Sequence, residues 1–123
     1  DDMPRRIILD FNHDPDLLDI TAREWAEAIN KTKKTQIRNF YDKILELQDE
    51  LKRAKNFSEV YPFVKMLNSK VAYGVSRRVV SKEFQEMMQQ CLSQIQNNSD
   101  GARKFEIFKL FFEAVLGFFK GRE

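Results

Sequence analysis

The chain has 123 residues, in which 21 Lys and Arg face 19 Asp and Glu, so a highly charged sequence sums to only +2. Four Gly and three Pro are too few for a turn-rich β-sandwich or a disordered linker; one Cys and one His exclude a disulfide framework and a Cys/His zinc site. No apolar run approaches the ~18 residues of a membrane span, and residues 1–25 lack a signal-peptide pattern, so a cytoplasmic protein without membrane contact is expected.

In chain order the pattern predicts an all-α fold: one compact bundle of about five helices with a short N-terminal arm. Residues 1–123 read as a single domain, the arm covering 1–14 and the helical core 15–120. In the arm, Arg6-Ile-Ile-Leu-Asp-Phe11 is a short apolar run, extended or packed onto the domain. Asn12-His-Asp-Pro15 then signals a turn, with Asp14 as helix cap and Pro15 in the first turn of a helix over 15–33. Leu18, Ala22, Trp25 and Ile29 fall on one face of that helix.

The second helix has the clearest period. Ile37, Phe40, Ile44, Leu47, Leu51 and Ala54 alternate steps of three and four behind Thr35 as cap, and Arg38–Asp42 and Asp49–Arg53 are spaced for ion pairs. Ser58 caps a predicted third helix with Val60, Val64, Leu67, Val71 and Val75 inward, and Gly74 weakens or bends it. Ser81 caps a fourth, with Phe84, Met87, Met88, Cys91, Leu92 and Ile95 inward. After the turn Asn97-Asn-Ser-Asp-Gly101, a fifth helix over about 102–120 holds six of the eleven Phe. So apolar a helix is either central to the bundle or presents surplus surface to a partner, including a second copy in a homodimer.

The charge is unevenly distributed. Residues 1–30 sum to −5, 31–59 to +3, 60–82 to +5 and 83–123 to −1, and the third segment contains no acid at all. A polyanion would be drawn to the middle of the chain. There Lys70, Tyr73 and Arg77 form one helical stripe off the apolar face, with Arg78 and Lys82 just beyond. A second cluster, Lys31, Lys33, Lys34 and Arg38, surrounds the junction of the first two helices. Such cations can neutralise phosphates, and a tyrosine ring can stack on a base. The bland alternative is a set of basic helix ends with Tyr73 at the edge of the core.

Catalytic chemistry finds little support. Asp42, Glu46, Asp49 and Glu50 share one helix, whereas di-metal bundles draw ligands from several facing helices, so a solvated face is expected. Cys91 lies on an apolar face and His13 in a turn. Phosphate-binding loops, dinucleotide fingerprints and nucleophile elbows do not occur. The chain reads as non-enzymatic and without a cofactor or metal.

Three segments carry a resemblance. Lys31-Thr-Lys-Lys-Thr-Gln-Ile-Arg-Asn-Phe-Tyr41, Leu67-Asn-Ser-Lys-Val-Ala-Tyr-Gly-Val-Ser-Arg77 and Phe108-Lys-Leu-Phe-Phe-Glu-Ala-Val-Leu-Gly-Phe-Phe119 resemble, in order, segments of the small subunit of the type III-A CRISPR effector, the Csm complex. The likeness spans about 32–119. It departs at Gly117-Phe118-Phe119-Lys120, where the family often has a small residue, Tyr and a basic tail, and residues 1–30 match no family motif. The resemblance implies a helical subunit in antiviral defence, stacked in several copies against the backbone and large subunits and contacting guide RNA and target RNA, with the cleavage chemistry held by other subunits. By position it assigns RNA contact to Lys34, Arg38, Lys70, Tyr73 and Arg77; the charge map adds Arg78 and Lys82. The rival expectation is a protein–protein interaction module that self-associates through the Phe-rich last helix without binding nucleic acid.

Overall fold

The computed structural model describes residues 3–121; the first two residues of the expected arm and the last two of the chain lie outside them. A π-helical turn at Leu17–Thr21 runs into α1 (Ala22–Ala28), followed by α2 (Lys34–Arg53), a 3-10 turn at Phe57–Glu59, α3 (Tyr61–Lys65), α4 (Leu67–Ser76), α5 (Lys82–Leu92) and α6 (Gly101–Phe118). The fold is all-α, with α3 and α4 together standing for the predicted third helix, interrupted at Met66.

The Phe-rich α6 is central. It packs against the π-turn and α1 and against α2, and Phe105, Phe108, Phe111, Phe112 and Phe119 are all buried. Aromatic contacts link the helices in series. Phe40 meets Phe84 at 5.2 Å, Phe84 meets Phe112 edge-on at 6.2 Å, and Phe108, Phe105 and Phe57 continue the chain. Edge-to-face pairs of this kind add roughly 0.5–1.5 kcal/mol beyond area burial. Most of the apolar face expected of this helix is therefore spent inside the bundle, with Leu116 and Phe118 half-buried.

The first helix is shorter than predicted, ending at Ala28 instead of 33, and its opening turn is wide. Thr21 N–H reaches Asp16 C=O, five residues back, at 3.2 Å, and Thr21 Oγ1 donates to Asp14 Oδ2 at 2.6 Å. Asp14 thus anchors the buried Thr21 while its other oxygen accepts the Asp16 N–H. Other predicted caps fared differently. Ser81 accepts the Phe84 N–H at 3.1 Å, but α2 starts at Lys34, before Thr35, and the Ser58 hydroxyl bonds Asn56. On α2, among the described residues, Lys43–Glu46 closes at 3.2 Å, whereas Arg38–Asp42 and Asp49–Arg53 do not.

The N-terminal arm is extended, with Ile7 and Leu9 buried and Arg6 and Ile8 exposed. Glutamine side chains of α5 and of the turn that follows it satisfy its backbone. Gln90 Oε1 accepts the Ile7 N–H and Gln94 Oε1 accepts the Leu9 N–H, both at 2.9 Å, while Gln94 Nε2 donates to Ile7 C=O at 2.7 Å. Lys104 Nζ on α6 donates to Leu9 C=O, and Trp25 Nε1 to Arg5 C=O.

Candidate nucleic-acid interface

Two basic clusters, 45 or so residues apart in sequence, meet at one place in the fold. The Thr32 and Ser81 hydroxyls bond at 2.9 Å, Thr32 Oγ1 accepts the Ser81 N–H at 2.9 Å, and Lys33 N–H reaches Val79 C=O at 3.3 Å. These bonds fasten the α1–α2 junction to the α4–α5 junction. Lys31, Lys33 and Lys34 therefore sit beside Arg78 and Lys82.

Local chemistry places each side chain. Lys34 opens α2, half-buried, and Lys82 opens α5, exposed. Lys70, Tyr73 and Arg77 share one exposed face of α4 and its cap, with the Arg77 guanidinium 5.3 Å from the Tyr73 ring centre. Tyr73 is 63% exposed, so the alternative of a core tyrosine does not hold. Arg78 follows with φ 63°, the left-handed position that usually holds glycine. Val79 N–H bonds Gly74 C=O and Arg78 N–H bonds Val75 C=O, the paired bonds of a Schellman helix end. Gly74 makes no bend; Val80 packs where a β-carbon would stand, its Cγ2 only 2.9 Å away.

Not every cation of the middle segment points outward. Lys65 donates to the C-terminal carbonyl of α5, on Leu92, and lies 5.5 Å from the Tyr61 ring centre. Burial pushes its pKa below the ordinary lysine value. Four of the five bases in 60–82 remain exposed: Lys70, Arg77, Arg78 and Lys82. Arg38 is also exposed on α2, beyond the groove that α2 forms with α4.

That groove is lined by Gln36, Asn39, Phe40 and Lys43 of α2 and by Lys70 and Tyr73 of α4. Sequence reasoning passed over its α2 wall. Gln36, Asn39 and Lys43 follow steps of three and four on one helical face, but the pattern alone does not say that α4 packs opposite. The stripe also extends backward, since Phe63 and Met66, 51% and 45% exposed, precede Lys70 at the same helical spacing.

The other candidate groups are chemically quiet. Cys91 is fully buried, and burial drives its thiol pKa far upward. Asp42, Glu46, Asp49, Glu50 and His13 are exposed. Among the described residues no group of three or more His, Cys, Asp or Glu is placed to hold a metal ion, and no helix is long and apolar enough to cross a membrane.

Comparison with protein families matches residues 12–122 to the family described as Csm2 Type III-A. Neither the curated proteins nor the solved structures give a match.

Proposed function

The chain belongs to the Csm2 Type III-A family, a small-subunit family of the type III-A CRISPR effector, and from that premise we propose that it is a non-catalytic subunit that contacts RNA through its joined basic clusters. The observation that carries this reading is the Thr32–Ser81 bridge, which brings cations from two distant segments to one surface. Lys34, Arg38, Lys70, Arg77, Arg78 and Lys82 supply phosphate contacts, and Tyr73 supplies a ring for stacking. A subunit that follows a guide–target duplex already specified by base pairing needs backbone contacts, with no reading of bases. Working in the cytoplasm as one helical domain, it stacks in several copies beside the backbone and large subunits and helps to position the guide and target RNAs. The near-neutral total suits that arrangement, because a strong positive charge on every copy would make neighbours repel.

The test is RNA binding by the assembled complex with Lys70→Glu and Arg77→Glu together. Affinity is expected to fall, and the dependence of affinity on salt to become shallower, as phosphate contacts are lost. Unchanged binding and an unchanged salt slope would overturn the reading.

A further inference from the structure

The groove between α2 and α4 has a lining that phosphate contacts alone leave unused. It encloses about 230 Å³. Much of its wall is apolar or aromatic, from the Tyr73 ring, the nearly buried Phe40 and the stems of Lys43 and Lys70. Two side-chain amides, Gln36 and Asn39, stand among these groups, and neither is hydrogen-bonded to any other described residue. Lys70 likewise has no ion-pair partner among the described residues, whereas Lys43 pairs with Glu46 at 3.2 Å. Among the described residues no acid lines the groove.

A largely apolar groove, a ring for stacking, amides without a hydrogen-bond partner among the described residues and a cationic rim together describe the requirements of a nucleobase joined to phosphate. The Arg77 guanidinium lies 5.3 Å from the Tyr73 ring centre, and the tyrosine stays 63% exposed. The volume lies below the ~300 Å³ at which sites for larger ligands begin, and it suits a single base. A base within a duplex is covered on both faces and cannot enter.

We propose that this groove takes one unpaired base of a single-stranded or extrahelical RNA segment, stacked on Tyr73, its edge bonded by Gln36 and Asn39 and its flanking phosphate held by Lys70. The inference rests on the RNA-contacting reading and adds to it a base slot that phosphate binding does not require.

The experiment titrates the full chain with two RNA oligomers of equal length and charge, one carrying bases and one abasic throughout, and with adenosine monophosphate. The base-bearing oligomer should bind roughly tenfold more tightly than the abasic one, the order of effect that base–aromatic stacking gives. Gln36→Ala with Asn39→Ala, and separately Tyr73→Ala, should shrink that ratio. Equal, salt-dependent binding of both oligomers by the unaltered chain would overturn the base slot and leave the phosphate reading intact. A ratio that survives both sets of substitutions would overturn the placement in this groove. Mononucleotide binding as tight as the oligomer would overturn the assignment to a strand, and no binding of either oligomer would overturn the slot, while the RNA-contacting reading is decided by the assembled complex.

Discussion

Thr32 and Ser81, 49 residues apart, are joined twice: hydroxyl to hydroxyl at 2.9 Å, and from the Ser81 N–H to Thr32 Oγ1 at 2.9 Å. Ser81 also caps α5 through the Phe84 N–H. One small polar knot therefore starts a helix and sets the relative position of two basic segments. Thr32 is fully buried, so its hydroxyl has no water to fall back on.

Removing either partner should cost stability. Ser81→Ala loses a cap and is expected to cost about 1 kcal/mol. Thr32→Val leaves the Ser81 N–H without an acceptor and should cost about 1–3 kcal/mol. Because the two residues share a network, the double variant should lose less than the sum, which a urea-unfolding cycle would reveal. RNA affinity of the assembled complex should fall as well, although neither residue carries charge. Strictly additive losses with full RNA affinity would contradict the proposed coupling.

Arg78 sits in the left-handed region at φ 63°. A side chain there costs about 1–2 kcal/mol that glycine avoids. Arg78→Gly should therefore raise the unfolding midpoint while weakening RNA binding, a trade between stability and function. Arg78→Lys should keep the strain and most of the affinity. A glycine variant that gains stability at unchanged affinity and salt slope would remove Arg78 from the interface.

The side-chain amide of Gln94 brackets Ile8, accepting from Leu9 N–H and donating to Ile7 C=O, as a parallel strand neighbour would. Gln94→Ala should release the arm locally, seen as faster tryptic cleavage after Arg6. The buried Ile7 and Leu9 would lose two backbone partners, at about 1–3 kcal/mol. Cleavage at the parent rate would show that apolar burial alone holds the arm.

Cys91 offers a probe of the core. Burial disfavours its thiolate, so the thiol stays protonated well above the pH at which a free cysteine ionises. Alkylation at mildly alkaline pH should proceed only as fast as the bundle opens, and should accelerate in step with urea-induced unfolding. Fast labelling of the folded chain would contradict the packing of α5.

Much of the architecture was legible in the residues. The three-and-four spacing of Ile37 to Leu51 produced α2, and Ser81 marked the start of α5, because both are local facts of helix geometry and capping. Boundaries set by long-range packing were not. The first helix opens on a π-turn that Asp14 and Thr21 hold and stops at Ala28, and the third helix divides at Met66 with no breaker at that position. The arm's fate was equally hidden, since its hydrogen-bond partners Gln90 and Gln94 lie more than 80 residues away.

By itself the sequence determined the helical class, the inward faces and the concentration of positive charge in the middle of the chain. Only the tertiary structure decided that α6 spends most of its phenylalanines inside, that Lys65 turns inward to a helix end, and that Gln36 and Asn39 line one groove with Lys70 and Tyr73. The reason is physical. Periodicity says which side of a helix is buried, while the identity of the neighbour on the other side follows from how all the helices share one core.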